Sequence, residues 1–273
     1  MKVAIIGAGN MGGAIARGLA AGTIVRAADM TVTAHTQQTL DRLSADVPGI
    51  RTTLDNRQAA AGAQIVILAI KPWLVENIIG EIAPELAVSH PLVISVAAGI
   101  SFEQLTGILE ANGAGPFDLE DNQLPLVRVI PNTAIAIRKS PTLISFDQHV
   151  SDAQKKLVQD MFNELGTSIV IEERLMAAGT AVTSCGIAYA FEYIKAAIQG
   201  AIELGFYPHV AKAMIDQTVL GAVGLLEQNG TYPDAEIYKV CTPGGITIKG
   251  LNEMTKEGFD HAVIAGLKKA AGK

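Results

Sequence analysis

The sequence predicts an α/β fold: an N-terminal Rossmann-like, doubly wound, mostly parallel sheet plus an all-α C-terminal domain. Three observations carry this. Short apolar runs rich in β-branched residues alternate with helical patterns over residues 1–172, as in a sheet covered on both faces. The first run, Val3-Ala4-Ile5-Ile6, leads directly into Gly7-Ala8-Gly9-Asn10-Met11-Gly12 and then an Ala-rich helical stretch. After residue 172 the strand runs stop and long helical stretches continue to residue 273. The domains are therefore expected at 1–172 and 173–273.

In chain order, strands are expected at 2–6, 31–34, 51–53, 65–70, 92–96, 127–130, 143–146 and 168–171. Helices are expected between them at 11–21, 37–44, 56–61, 74–82, 101–109 and 152–165. The run 65–70 is apolar throughout, as a central strand buried on both faces should be. Residues 111–124 mix Gly, Pro, Asp and Asn and read as a surface loop. In the second half a long helix is expected at 175–204, loosened near Gly186. Gly205 and Pro208 separate it from a helix at 209–228, which Asn229-Gly230 ends in a left-handed turn. A short helix at 234–240, a loop at 241–245 and helices at 247–256 and 259–270 complete the chain. These helices are apolar over much of their circumference and must bury those sides. The domain offers limited interior, so a second subunit is expected to cover the rest, making this a dimerisation domain. Gly200, Gly205, Gly221 and Gly224 are expected to allow close helix packing.

Composition narrows the function. The chain has 273 residues, 49% hydrophobic and 18% charged, which suits packed domains and excludes disorder. A net charge of −6 with no basic run longer than Lys-Lys disfavours nucleic acid and anionic membranes as partners. The first strand begins at residue 2 or 3, so no signal peptide is expected before it. No apolar run reaches the ~20 residues that span a bilayer. The two cysteines, Cys185 and Cys241, lack metal-ligand spacing and read as free thiols of a cytoplasmic protein. The five histidines are scattered, so no metal site is expected.

Strand, glycine turn and helix form a dinucleotide loop. Gly7 allows the tight turn, Gly9 lets the backbone approach a pyrophosphate, and Gly12 lets the helix pack on the strand. Asn10 and Met11 lie in the same loop, and the pyrophosphate would meet N–H groups at the helix N-terminus. NAD-binding folds place a carboxylate at the end of the second strand. Here that strand ends in His35-Thr36-Gln37-Gln38, and Asp29 precedes it. His35, Thr36 and Gln37 can donate to a 2′-phosphate, so NADP is expected, with NAD as the alternative. Further cofactor contacts are expected at strand exits: Ala69, Lys71 and Pro72 after the fourth strand, and Ala97 after the fifth. Pro72 holds Lys71 extended.

Thr242-Pro243-Gly244-Gly245-Ile246-Thr247 runs straight into a helix. Its glycines bare the backbone, so consecutive N–H groups and the helix dipole can meet one carboxylate. Thr242 and Thr247 add hydroxyls.

With these residues in view, the chain resembles the Δ1-pyrroline-5-carboxylate reductase family. The matching stretches run from end to end. They are the glycine turn, Asn56, Ala69-Ile70-Lys71-Pro72, Ile94-Ser95-Val96-Ala97-Ala98-Gly99-Ile100 and Arg128-Val129-Ile130-Pro131-Asn132-Thr133. In the second half they are Gly186 with Ala188-Tyr189, Gln217-Thr218-Val219-Leu220-Gly221-Ala222, and Thr242-Pro243-Gly244-Gly245 with Thr247-Ile248. The resemblance implies NAD(P)H-dependent reduction of the C=N bond of 1-pyrroline-5-carboxylate to L-proline, the last step of proline biosynthesis. It implies a homodimer or higher homo-oligomer whose interlocked helical domains complete the site. It places the substrate carboxylate on the backbone of Gly244, Gly245 and Thr247, the Thr247 hydroxyl at the ring nitrogen, and Asn56 on the cofactor ribose. Hydride transfer needs alignment more than acid–base power, so the absence of a His–Asp pair is expected. Threonine is a poor acid at neutral pH; Thr247 positions the nitrogen or relays through water. Tyr189 reads either as a second donor or as a packed helix residue.

The chain departs from the family's Ser-Gly-Ser-Gly-Pro. The aligned residues are Thr183-Ser184-Cys185-Gly186-Ile187, with Thr183 and Cys185 at substrate-binding positions and Cys185 the weaker hydrogen-bonding group. Ile237-Tyr238 replaces a charged pair, Tyr232 a His before Pro, and Ala177 an Asp. A divergent reductase of a related cyclic imine or keto acid, or a cofactor-binding paralogue with little activity, is therefore the alternative. Hydroxyacid dehydrogenases use a lysine and an asparagine on the first long helix; here Lys195 is followed by Gln199, which ranks that chemistry lower.

Overall fold

The computed structural model describes residues 1–114 and 123–273. Most of the loop expected at 111–124 lies outside the described residues, and Ala111 closes a helix. Among the described residues eight strands form one sheet: β1 Val3–Ile6, β2 Met30–Thr33, β3 Arg51–Thr53, β4 Ile65–Leu68, β5 Leu92–Ser95, β6 Leu126–Ile130, β7 Ser140–Phe146 and β8 Gly166–Val170. Their order is β3-β2-β1-β4-β5-β6-β7-β8. Neighbours from β3 to β6 are parallel, β7 is antiparallel to β6, and β8 is parallel to β7. Chain length explains the reversal. Residues 131–139 are fewer than the dozen or so a crossover needs. They fold as a 3₁₀ turn, Thr133–Ile137, and reverse through Arg138 in the left-handed region.

Strand β7 starts earlier than the expected residue 143, despite Pro141. The β6 ladder pairs only residues from Leu143 to Phe146, whereas Pro141 pairs with β8 alone. A missing N–H is tolerated where only one neighbour must be satisfied.

Alternate residues of the strands enter two cores. Val3, Ile5, Ile65 and Ile67 meet helices α1 Asn10–Ala20, α2 Gln37–Asp46 and α6 Asp152–Asn163. Ala4, Ile6, Val66 and Leu68 meet α3 Asn56–Ala60, α4 Val75–Ser89 and α5 Phe102–Ala111. Helix α4 runs past the expected end at 82 and through Pro84. Ala83 and Leu86 are fully buried on the sheet, and that burial outweighs the lost backbone bond.

The helical half begins with α7 Met176–Thr180, which continues as a π turn over Ala181–Cys185; this is the loosening expected near Gly186. Then come α8 Gly186–Glu203, α9 Pro208–Asn229, α10 Pro233–Val240, α11 Ile246–Lys256 and α12 Phe259–Ala270. Gly230 ends α9 at φ 61°.

The chain divides into two compact units, Met1–Ser184 and Cys185–Lys273. The division falls after the expected 172/173 because α7 packs on the sheet. Met176 joins Ile130 and Leu143, and a Cβ on Gly179 would lie 2.4 Å from Leu143 Cδ1. In the second unit Ala211 is the one buried residue. The close packing expected at Gly200, Gly221 and Gly224 does not occur among the described residues, where a Cβ at each would meet nothing within 4 Å. Gly205 serves a turn instead, at φ 101°.

Candidate functional site

The glycine turn sits at the C-terminal end of β1. Gly7 has φ 103°, and a Cβ there would lie 2.8 Å from the Ala69 carbonyl oxygen. Its N–H donates to Thr33 Oγ1 at 3.1 Å, and the Ala8 N–H donates to the Thr33 carbonyl at 2.6 Å. A Cβ on Gly12 would lie 2.0 Å from the Gly7 carbonyl oxygen, so helix and turn are as close as two backbones allow. Gly9 precedes α1 and has open space on its outer side. Asn10 is exposed, and Met11 is half-buried against the core. Thr36, Asp55, Ser101 and Ser151 cap helices α2, α3, α5 and α6. No side chain caps α1 and no acid lies in its first turn, so its positive end is open to an external anion.

Other candidates line the same edge of the parallel strands. At the β2 exit His35 and Thr36 are exposed; Thr36 Oγ1 accepts the Thr39 N–H at 3.4 Å. Asp29, at the opposite end of β2, pairs with Arg26 at 2.8 Å, while at the exit Gln37 Nε2 donates to Asp41 Oδ1 at 2.8 Å. Asn56 opens α3, and its Nδ2 donates to Glu81 Oε2 at 2.9 Å. Ala69 follows β4. Lys71 is extended at φ −70°, ψ 147°, and Pro72 starts a 3₁₀ turn. Lys71 Nζ lies 6.0 Å above the exposed ring of Trp73. Ala97 is buried just after β5.

Sequence reasoning missed a polar cluster beside this edge. Arg128, on β6 and only 7% exposed, donates from Nη1 to Glu173 Oε1 at 2.7 Å. The same oxygen accepts the Phe102 N–H at 2.6 Å, at the start of α5 where a carboxylate suits the dipole. The signal was one arginine inside an otherwise apolar strand. Beyond β6, Asn132 Nδ2 donates to the Thr183 carbonyl and Ser184 Oγ to the Pro131 carbonyl, both at 3.3 Å. Thr183 Oγ1 donates to the Gly179 carbonyl at 3.0 Å, and its lone pairs are left to accept. Cys185 is a half-buried free thiol at the end of the π turn. Two surface grooves, about 280 and 640 Å³, flank Phe102, and none of the predicted site residues lines either.

In the second unit, residues 242–247 form an exposed turn into α11. Gly244 has φ 71°. The Gly245 N–H donates to the Thr242 carbonyl at 2.9 Å and so already has a partner within the turn. Helix α11, like α1, has no capping side chain and no acid in its first turn. Among the described residues the N–H groups of Gly244 and Thr247 meet no backbone acceptor. Tyr189 donates to the Gly266 carbonyl at 3.4 Å, tying α8 to α12. Lys195 is exposed and pairs with Glu192.

Comparison with known proteins covers both halves. The model for pyrroline-5-carboxylate reductase dimerisation matches residues 173–273, and that for coenzyme F420-dependent NADP oxidoreductase matches residues 2–99. Pyrroline-5-carboxylate reductase 1 of Dictyostelium discoideum is 33% identical over 99% of this chain, which spans 49% of that relative's length. Pyrroline-5-carboxylate reductase 2 of the same organism is 32% identical over 100% of this chain and 91% of its own. The crystal structure of the Plasmodium falciparum pyrroline carboxylate reductase with NADP bound superposes with a TM-score of 0.85 at 25% identity, covering 100% of this chain and 96% of that one. Among the described residues no helix is long and apolar enough to cross a membrane.

Proposed function

The chain belongs to the pyrroline-5-carboxylate reductase family, and on that premise we propose that its two uncapped, glycine-led helix N-termini hold the two anions of one reaction. The protein is an NAD(P)-dependent oxidoreductase that reduces 1-pyrroline-5-carboxylate to L-proline, uses NADP, and is a homo-oligomer. In our reading residues 1–172 bind the dinucleotide and residues 173–273 carry the dimerisation and substrate elements. The cytoplasm suits two free thiols.

At the first helix, Gly7, Gly9, Asn10, Met11 and Gly12 take the pyrophosphate. His35 and Thr36 take the 2′-phosphate, Asn56 the ribose, and Ala69, Lys71, Pro72 and Ala97 border the rest. Bound NADPH supplies the hydride that adds to the C=N carbon. At the second helix the N–H groups of Gly244 and Thr247 take the substrate carboxylate, with Thr242 beside them. The Gly245 N–H closes the turn rather than serving as a primary donor. The Thr247 hydroxyl holds the ring nitrogen. Thr183, whose hydroxyl proton is used within its own helix, lines the substrate ring with its acceptor lone pairs. Cys185 borders the same ring.

The experiment is NADPH oxidation by purified protein on adding the imine. Turnover is expected, and Thr247→Ala lowers kcat about ten- to a hundredfold with NADPH affinity unchanged. No turnover from protein that binds NADPH would overturn the reading. Cys185 and Ile187 favour one second reading, a related cyclic imine as preferred substrate, which a panel of ring sizes would reveal.

A further inference from the structure

The segment bearing Thr183 and Cys185 is not an ordinary helix. Its π turn, Ala181–Cys185, admits an extra residue and rotates the downstream residues by about 100° relative to an unbroken α-helix. Such turns are rare and occur mostly as single turns inside α-helices. Two hydrogen bonds tie this one to the β6 exit. Asn132 Nδ2 donates to the Thr183 carbonyl at 3.3 Å, and Ser184 Oγ donates to the Pro131 carbonyl at 3.3 Å.

Asn132 is itself held fast. It is 6% exposed; its N–H donates to Ser140 Oγ at 3.0 Å, and its Oδ1 accepts the Ala134 N–H at 2.9 Å. The Ala134 bond sets the orientation of the amide, because a backbone N–H can meet only the oxygen. Nδ2 is left as a donor aimed at Thr183. One turn earlier, in α7, Gly179 sits against Leu143 of β7, next to β6, with no room for a Cβ. The segment is therefore held against the sheet at the β6 exit and at the neighbouring β7.

We propose that Asn132 is a positioning residue for imine reduction: by holding the Thr183 carbonyl it keeps the π turn open and sets where Thr183 and Cys185 face. The inference rests on the reading of those two residues as substrate contacts. Without the Nδ2 donor the turn relaxes toward α-helical register and both side chains swing away. Asn132 makes no hydrogen bond to residues 7–12 or to the β2 and β4 exits, and a variant that keeps its bond to the Ala134 N–H keeps the cap of the turn at Thr133–Ile137, which packs on α1.

The test compares Asn132→Asp, Ser184→Ala and Thr183→Ala by steady-state kinetics with 1-pyrroline-5-carboxylate and by NADPH titration. Asn132→Asp keeps the acceptor for Ala134 and replaces the donor to Thr183 by a buried carboxylate oxygen, which the Thr183 carbonyl repels. It should raise the imine KM about tenfold while the NADPH Kd stays within about twofold. Ser184→Ala removes the second tie without adding charge and should raise the imine KM about threefold. It carries the test if Asn132→Asp fails to fold. Folded variants with wild-type imine KM and only a lower melting temperature would make Asn132 a plain turn cap and overturn the inference. Thr183→Ala keeps the two failures apart. An unchanged imine KM there overturns the reading of the site, whereas a raised KM there with none in the other two overturns this inference alone.

Discussion

Gly12 is closed to any side chain, because a Cβ would lie 2.0 Å from the Gly7 carbonyl oxygen and 2.8 Å from Ala69 Cβ. Both neighbours are held by the sheet, so Gly12→Ala must push α1 away from the turn. NADPH affinity should fall by at least about tenfold, read by titration. Gly9→Ala separates sterics within the chain from sterics against a ligand. Nothing lies within 4 Å of its Cβ position, so this variant should melt like the wild type and yet bind NADPH more weakly. Wild-type affinity would remove Gly9 from the cofactor site. These glycines were legible because their spacing after a strand is itself the geometry. Asn132 and Glu173 were not: their partners, Thr183 and Arg128, are 51 and 45 residues away, and no local pattern encodes such a pairing.

Helix α10 is stapled to the end of α9 by one carboxylate. Glu236 accepts from Lys239, Thr231 and Asn229, and these bonds, Lys239 foremost, hold its carboxyl at about 2, below the ordinary 4.5. A lowered pKa means stability that is present above 4.5 and lost as the pH falls toward 2. Glu236→Gln should therefore melt below the wild type at neutral pH, and the gap should close as the pH drops through that window. A gap independent of pH would show that charge plays no part. A second staple joins three elements, since Glu173 bonds both Arg128 on β6 and the first N–H of α5. Glu173→Gln strands a buried guanidinium and should cost about 2–3 kcal/mol in denaturant unfolding, at the low end for buried pairs because Glu173 is 34% exposed. Arg128→Met with Glu173→Gln should recover most of it. At this scale the chain was mostly readable. Strand positions held to within a few residues because their apolar runs are local. The reversal at β7 was implicit in the short span 131–139, but obscured by Pro141, which delayed the expected strand.

The second unit has one buried residue, Ala211, yet leaves Phe191, Leu220, Leu225 and Ile264 at least 50% exposed. An isolated chain cannot gain enough from so small an interior to hold five helices. Its stability comes from other copies, so the melting temperature should rise with protein concentration. Leu220→Glu should shift sedimentation toward the monomer and lower activity at dilution. A melting temperature independent of concentration would contradict this. The sequence by itself determined the fold class, the order of elements, the dinucleotide turn and the Pro-Gly-Gly turn, because each depends on periodicity or backbone freedom within a short span. Only the tertiary structure decided that β7 runs antiparallel, that Gly245 spends its N–H on its own turn, and that Asn132 and Ser184 clamp a π turn. Those outcomes depend on distant groups meeting at hydrogen-bonding distance, and such meetings exist only once the chain has folded.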